Sequence, residues 1–186
     1  MINGSDALEA CKALEFDTVL DVGSGDGSHA AFFRSMGKIV TTTDIKDADI
    51  QGVYTDVDCG KHDLVWCSHV LEHQLNVNLF LRKLYNDTGR WLAITVPPAK
   101  PEIVGGHVTV WNTGLLLYNL ILAGFDCKHA MVKKYGYNIT VIVEKKEAVL
   151  PVLKYDFGDI EALSEFFPMP VNNGFNGDIE DLNWKN

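Results

Sequence analysis

The chain has 186 residues, 47% hydrophobic and 22% charged, which is enough for one globular domain with a real core. Its formal net charge of −9 argues against a basic face for nucleic-acid phosphates; Lys133-Lys134 and Lys145-Lys146 are only short pairs. The longest apolar stretch, Leu115 to Phe125, is interrupted by Asn119 and Gly124 and is too short to cross a bilayer.

The opening MINGSDALEA lacks the basic region, apolar core and cleavage site of a leader, so a cytoplasmic location is expected. Cys11, Cys59, Cys67 and Cys127 are scattered, with no C-x-x-C pair for zinc or redox chemistry. Short apolar runs then alternate with helical patterns, the mark of stacked β–α units around a parallel sheet. Asp6–Leu14 reads as a leading helix, and Thr18–Val22 as a buried strand ended by Gly23-Ser24-Gly25-Asp26-Gly27. Ser28–Met36 reads as a helix stopped by Gly37, and Ile39–Thr43 as a second strand ending at Asp44. Gly52–Thr55 is a weak third strand and Asp63–Cys67 a strong fourth. From His73 to Tyr85, Val77, Phe80, Leu81 and Leu84 keep helical spacing. Arg90–Val96 is a fifth strand, broken by Pro97-Pro98. Asn112 or Thr113 caps a helix to Ala123, stopped by Gly124. Phe125–Val132 and Tyr137–Glu144, joined by a Gly136 turn, form a closing antiparallel hairpin. The expected organisation is one domain over 1–150 and an extension over 151–186 packed on it. The extension's aromatics (Phe166, Phe167, Phe175, Trp184), read as exposed, could serve a homodimer as readily as a lid.

The strongest local signal is the strand–glycine turn–helix around Val19–Gly27. Such a turn lets a ligand approach the backbone without Cβ clashes, and the helix start offers free N–H groups. Dinucleotide enzymes use G-x-G-x-x-G, whereas here Gly27 comes one residue early and Ser28 stands at the expected place. Asp44, at the end of the second strand, can accept both hydroxyls of a ribose. An adenosine ligand fits this pattern; NAD in particular does not.

In order, VLDVGSGDG, Asp44, DLVWCSHVLEH, WLAITVPP and GHVTVWNTGLLLYNLILAGFD resemble the class I S-adenosylmethionine-dependent methyltransferases, including the ubiquinone- and menaquinone-biosynthesis enzymes. The resemblance covers roughly Phe16 to Glu144. It implies a three-layer α/β/α, Rossmann-like, doubly wound sheet of seven strands, mostly parallel with an antiparallel C-terminal hairpin. It also implies S-adenosyl-L-methionine as cofactor, S-adenosyl-L-homocysteine as product, and a small-molecule methyl acceptor, with no nucleic-acid or membrane partner. Carried over by position, Gly23, Ser24 and Gly25 would line the methionine part and Asp21 would hold its ammonium. Asp44, with Ile45, would take the ribose, Asp56 and Val57 would flank the adenine, and His69 would lie beside the sulfonium. Only six residues separate Asp56 from Asp63, which is short for the family. Asp21 has a structural alternative as a cap of the turn and Asp44 as a solvated loop acid, while Asp58 competes with Asp56 for the adenine.

His69-Val70-Leu71-Glu72-His73 spells H-x-x-E-H, a zinc-peptidase pattern where one helix carries both histidines. Here a buried strand runs into His69, so the two should not share a helical face, and no metal is expected. If the acceptor is a hydroxyl, a base near neutral pKa assists its alignment with the methyl group. His107, after Gly105-Gly106, is the first candidate and His73 the second; Glu72 and His69 are further ones. Trp111, Tyr135 and Tyr137 could line the acceptor pocket. The competing readings are an NAD-dependent oxidoreductase and a catalytically inactive binding protein of the same fold.

Overall fold

The computed structural model describes residues 4–184; Met1–Asn3, where the leader reading begins, and Lys185–Asn186, the end of the expected extension, lie outside the described residues. Along the chain run α1 (Ser5–Cys11), β1 (Thr18–Val22), α2 (Ser28–Ser35), β2 (Ile39–Asp44), β3 (Ile50–Gln51) and β4 (His62–Ser68). After them come α3 (Val77–Asp87), β5 (Thr88–Val96), α4 (Thr113–Leu122), β6 (Met131–Tyr135), β7 (Asn138–Glu144), α5 (Asp159–Ala162) and β8 (Asp181–Leu182). The sheet order is β3-β2-β1-β4-β5-β7-β6-β8. Strands β1 to β5 pair in parallel, and β7 joins β5 antiparallel.

The central strands are apolar at nearly every position because both sheet faces are covered. Alternate side chains go to opposite faces. Val19, Leu64, Trp66, Ala93 and Ile142 pack with Leu8 of α1 and Phe33 of α2. Leu20, Val65, Cys67, Leu92 and Ile94 pack with Phe80, Leu81 and Leu84 of α3 and with Leu116, Leu117 and Leu120 of α4. Asn112 caps α4 as expected, its Oδ1 accepting Leu115 N–H at 2.8 Å.

Five expectations are corrected. Gly52–Thr55 is not a strand: β3 ends at Gln51, and Tyr54–Asp56 coils into a 3₁₀ turn. The helix expected from His73 begins at Val77, because Leu71–His73 is a separate 3₁₀ turn. The hairpin strand expected from Phe125 begins at Met131, with Phe125 joined to Glu147 by an isolated bridge. Among the described residues the sheet has eight strands rather than seven, since the tail returns to pair Leu182 with Val132. The tail is anchored by Leu163 and Phe167, which are buried in the α4 core, and by Thr113 Oγ1 donating to Ile179 O at 2.7 Å. The four aromatics expected to be exposed are therefore covered: Phe166 and Phe175 pack against the same core as Phe167, and Trp184 against the opposite face, while Tyr155 and Phe157 stay exposed.

Candidate active site

Strand β1 delivers the glycine turn to the carboxyl edge of the sheet. Gly23 N–H and Ser24 N–H donate to Thr43 O at 2.8 and 3.3 Å, so β2 fixes where the turn begins. Gly23 has φ 70, and a Cβ there would lie 2.3 Å from Val70 Cγ2, so glycine is required by packing as well as by conformation. Gly25 has φ 52, and a Cβ there would meet nothing within 4 Å. Its surface faces open space.

Asp44 does two jobs at this turn. Its Oδ2 accepts Gly25 N–H at 2.9 Å and its Oδ1 accepts Ile45 N–H at 2.7 Å, leaving further lone pairs on both oxygens. Asp21, one strand over, is buried, and its Oδ2 has no hydrogen-bond partner. Burial pushes its carboxyl up to about 7, against a backbone hydrogen bond from Ala30 and the charge of Arg34, which both lower it. A buried acid with a bare oxygen calls for a cationic partner. The turn, Asp21 and Asp44 thus make one electronegative cradle.

Ile45 and Val53 are 72% and 55% exposed and stand at the ends of neighbouring strands, β2 and β3, where Asp44 is in register with Gln51. The sequence pattern did not single out Val53; two exposed apolar side chains beside Asp44 are a platform for a flat ring. Val57 packs against Gly52, a Cβ on which would lie 2.7 Å from Val57 Cγ1, and Gly52 N–H donates to Asp44 O, so Val57 stays beside this edge. Strand β3 itself stops at Gln51, and Asp56 and Val57 also line a hollow of about 520 Å³ with Leu79, Arg82 and Lys83.

His69 follows β4 with φ 57, a left-handed conformation rare for a side chain with a Cβ. Its Nδ1 donates to Glu72 Oε1 (3.2 Å), its Nε2 hydrogen-bonds the side-chain amide of Asn138 (2.8 Å), and its ring stacks on Tyr137. Burial lowers its pKa, but the hydrogen bonds to Glu72 and Asn138 and the Glu72 charge outweigh this, and the net shift is upward. The expectation that His69 and His73 share no helix face holds in the geometry, yet Glu72 reaches towards both. Glu72 is fully buried, and its Oε1 lies 3.9 Å from His73 Nε2.

The loop after β5 folds over this turn. Val108 N–H donates to Glu72 O at 2.8 Å, which carries His107 to His73, ring centroids 5.0 Å apart. His107 and Tyr137 border a hollow with Pro97, Pro98, Lys100 and Ile103. Trp111 is buried, bonded to Thr109 Oγ1, and Tyr135 bonds Thr140 and Ala7 elsewhere; neither lines that hollow.

A family model described as "Methyltransferase domain" matches residues 5–117. The fold is similar to a 1,6-didemethyltoxoflavin-N1-methyltransferase of Burkholderia thailandensis, with bound 1,6-didemethyltoxoflavin and S-adenosylhomocysteine (TM-score 0.61, 15% identity, 77% of this chain and 78% of that one). It is also similar to an S-adenosylmethionine-dependent methyltransferase of Archaeoglobus fulgidus (0.61, 14%, 76% and 95%). A third likeness is to the magnesium protoporphyrin IX methyltransferase of Synechocystis PCC 6803 (0.59, 17%, 75% and 78%). No curated protein matches the sequence. At these identities the solved structures establish the fold, and the family match extends over more than half of the chain. The chain belongs to the class I S-adenosylmethionine-dependent methyltransferase family.

Proposed function

We propose that this methyltransferase acts on an O–H or N–H group of a small molecule whose reacting end enters the hollow of about 30 Å³ between His107 and Tyr137. The observation that carries the proposal is the pairing of two ends: a carboxylate cradle at β1–β2, and a histidine corner at the end of β4. S-adenosylmethionine supplies a methyl carbon on a sulfonium, and the cradle fits it: a bare buried acid for its ammonium, and open space over Gly25 for its methionine part. Gly23, Ser24 and Gly25 line that part, and Asp21 takes the ammonium. Asp44 accepts from the ribose with lone pairs that the turn leaves unused. Ile45 and Val53 cover the adenine, with Val57 behind them against Gly52. The strained backbone of His69 borders the sulfonium, since its ring is committed to Glu72 and Asn138.

The acceptor's proton leaves at the histidine corner, with His107 nearest the hollow and His73 behind it. Tyr137 and the proline pair exclude water from one side. The test is methyl transfer from S-adenosylmethionine to a panel of small phenols, amines and carboxylates, in wild type and His107→Ala. An accepted substrate whose kcat falls about 10²-fold in His107→Ala, with S-adenosylhomocysteine affinity unchanged, is the expected result. Full activity of the variant would remove His107 from the reaction.

A further inference from the structure

Three donor groups converge where the loop after β5 closes over the end of β4. One carboxylate oxygen of Glu72 and one ring nitrogen each of His73 and His107 lie within 4.8 Å of one another. Glu72 is buried; Oε1 accepts from His69 Nδ1, while Oε2 has no hydrogen-bond partner. A bare buried carboxylate oxygen carries its full desolvation penalty unless a cation faces it. His73 donates Nδ1–H to Gly106 O at 2.8 Å, which leaves Nε2 as the lone-pair nitrogen, 3.9 Å from Glu72 Oε1. Two acceptor atoms this close repel each other unless a proton or a metal ion lies between them.

We propose that Glu72, His73 and His107 bind one divalent transition-metal ion of the zinc type beside the acceptor hollow. Two imidazoles and a carboxylate are a ligand set that such ions take, with a position left for water or substrate. Magnesium and calcium prefer all-oxygen sites, so they do not suit it. The supporting bonds are those that orient metal ligands: His69 holds the Glu72 carboxylate, and the Gly106 carbonyl fixes the His73 tautomer. With bonds of about 2.0–2.2 Å, tetrahedral ligand atoms stand roughly 3.3 Å apart. The cluster must therefore contract by roughly 1.5 Å at its widest, from 4.8 Å. The exposed His73 and the half-buried His107, next to Gly105-Gly106, can supply that movement around a fixed Glu72.

The role of the ion rests on the acceptor-site reading above; its binding does not. A nitrogen bound to the ion takes no proton, so in the loaded protein a coordinated acceptor O–H loses its proton to solvent through the ion's acidity.

Protein treated with EDTA and freed of chelator is titrated calorimetrically with Zn²⁺ alone, without cofactor or acceptor. The expected result is one equivalent bound per chain at micromolar affinity or tighter, with a rise in Tm. Binding should weaken at least tenfold in His107→Ala and in His73→Asn, and stay unchanged in His129→Ala, whose exposed ring lies on another face with Trp91 and Trp184. Co²⁺ in place of Zn²⁺ should give wild type the intense visible bands of a low-coordinate site, lost in His107→Ala. Absent binding, or binding indifferent to both ligand substitutions, would overturn the proposal. Titrating the same variants with S-adenosylhomocysteine reports separately on their fold and on the cofactor site, so the two readings can fail independently.

Discussion

Replacing Asp21 by asparagine should stabilise the cofactor-free protein and weaken its binding of S-adenosylhomocysteine. Asp21 is 1% exposed and Oδ2 lacks a partner, so the charge is held without solvent and with little compensation. Burial lifts the carboxyl from an ordinary 3.8 to about 7. An acid raised in this way keeps its proton in the native state after the unfolded chain has lost its own. The stability it gives is complete below about 4 and is lost as pH climbs to about 7. At 1.36 kcal/mol per pH unit the gap corresponds to roughly 4 kcal/mol above neutrality. Asparagine has nearly the same shape and no charge, so its advantage should approach that figure at pH 8 and fall to about 1 kcal/mol at pH 4.5. Urea unfolding followed by circular dichroism at pH 4.5, 6 and 8 reads it directly. Binding should move the other way: wild-type affinity for S-adenosylhomocysteine rises through about pH 7 as the carboxylate ionises, and the variant lacks that rise. A variant no more stable than wild type at pH 8, or a gain that ignores pH, would refute the reasoning.

Two further outcomes are expected. Val53→Glu and Ile45→Glu change exposed positions, so they should leave Tm unchanged while lowering S-adenosylhomocysteine affinity at least tenfold; Asp56→Ala should leave that affinity alone, and the reverse pattern would return the adenine to Asp56. Leu163→Ala should cost about 2–4 kcal/mol in denaturant unfolding, because that side chain of the extension is fully buried in the α4 core, and a negligible loss would mean the extension folds apart from 1–150.

The elements that the sequence made legible are those with hard edges. Thr18–Val22 reads as a strand because Val19, Leu20 and Val22 face covered surfaces on both sides of the sheet, and Gly23 ends it at a positive φ that a branched residue would resist. The β3 region hides its turn because Val53 and Tyr54 are strand-type residues that the chain uses in a tight turn after a two-residue strand. The short Asp56–Asp63 spacing was the one sign of this. Phe125 carries no mark of its loop position, because a buried aromatic looks alike in a strand and in a loop packed on a helix. The histidine corner was legible only as separate candidates. Glu72 and His73 meet His107 through a main-chain bond from Val108 to Glu72, and nothing in residue type or spacing announces that closure.

The central claim is that the β1–β2 cradle binds an adenosyl sulfonium cofactor. The most direct measurement is parallel calorimetric titration of the purified protein with S-adenosylmethionine, S-adenosylhomocysteine and NAD. The account predicts micromolar binding of the first two, worth about 8 kcal/mol, and none of NAD. Binding of NAD alone would contradict it.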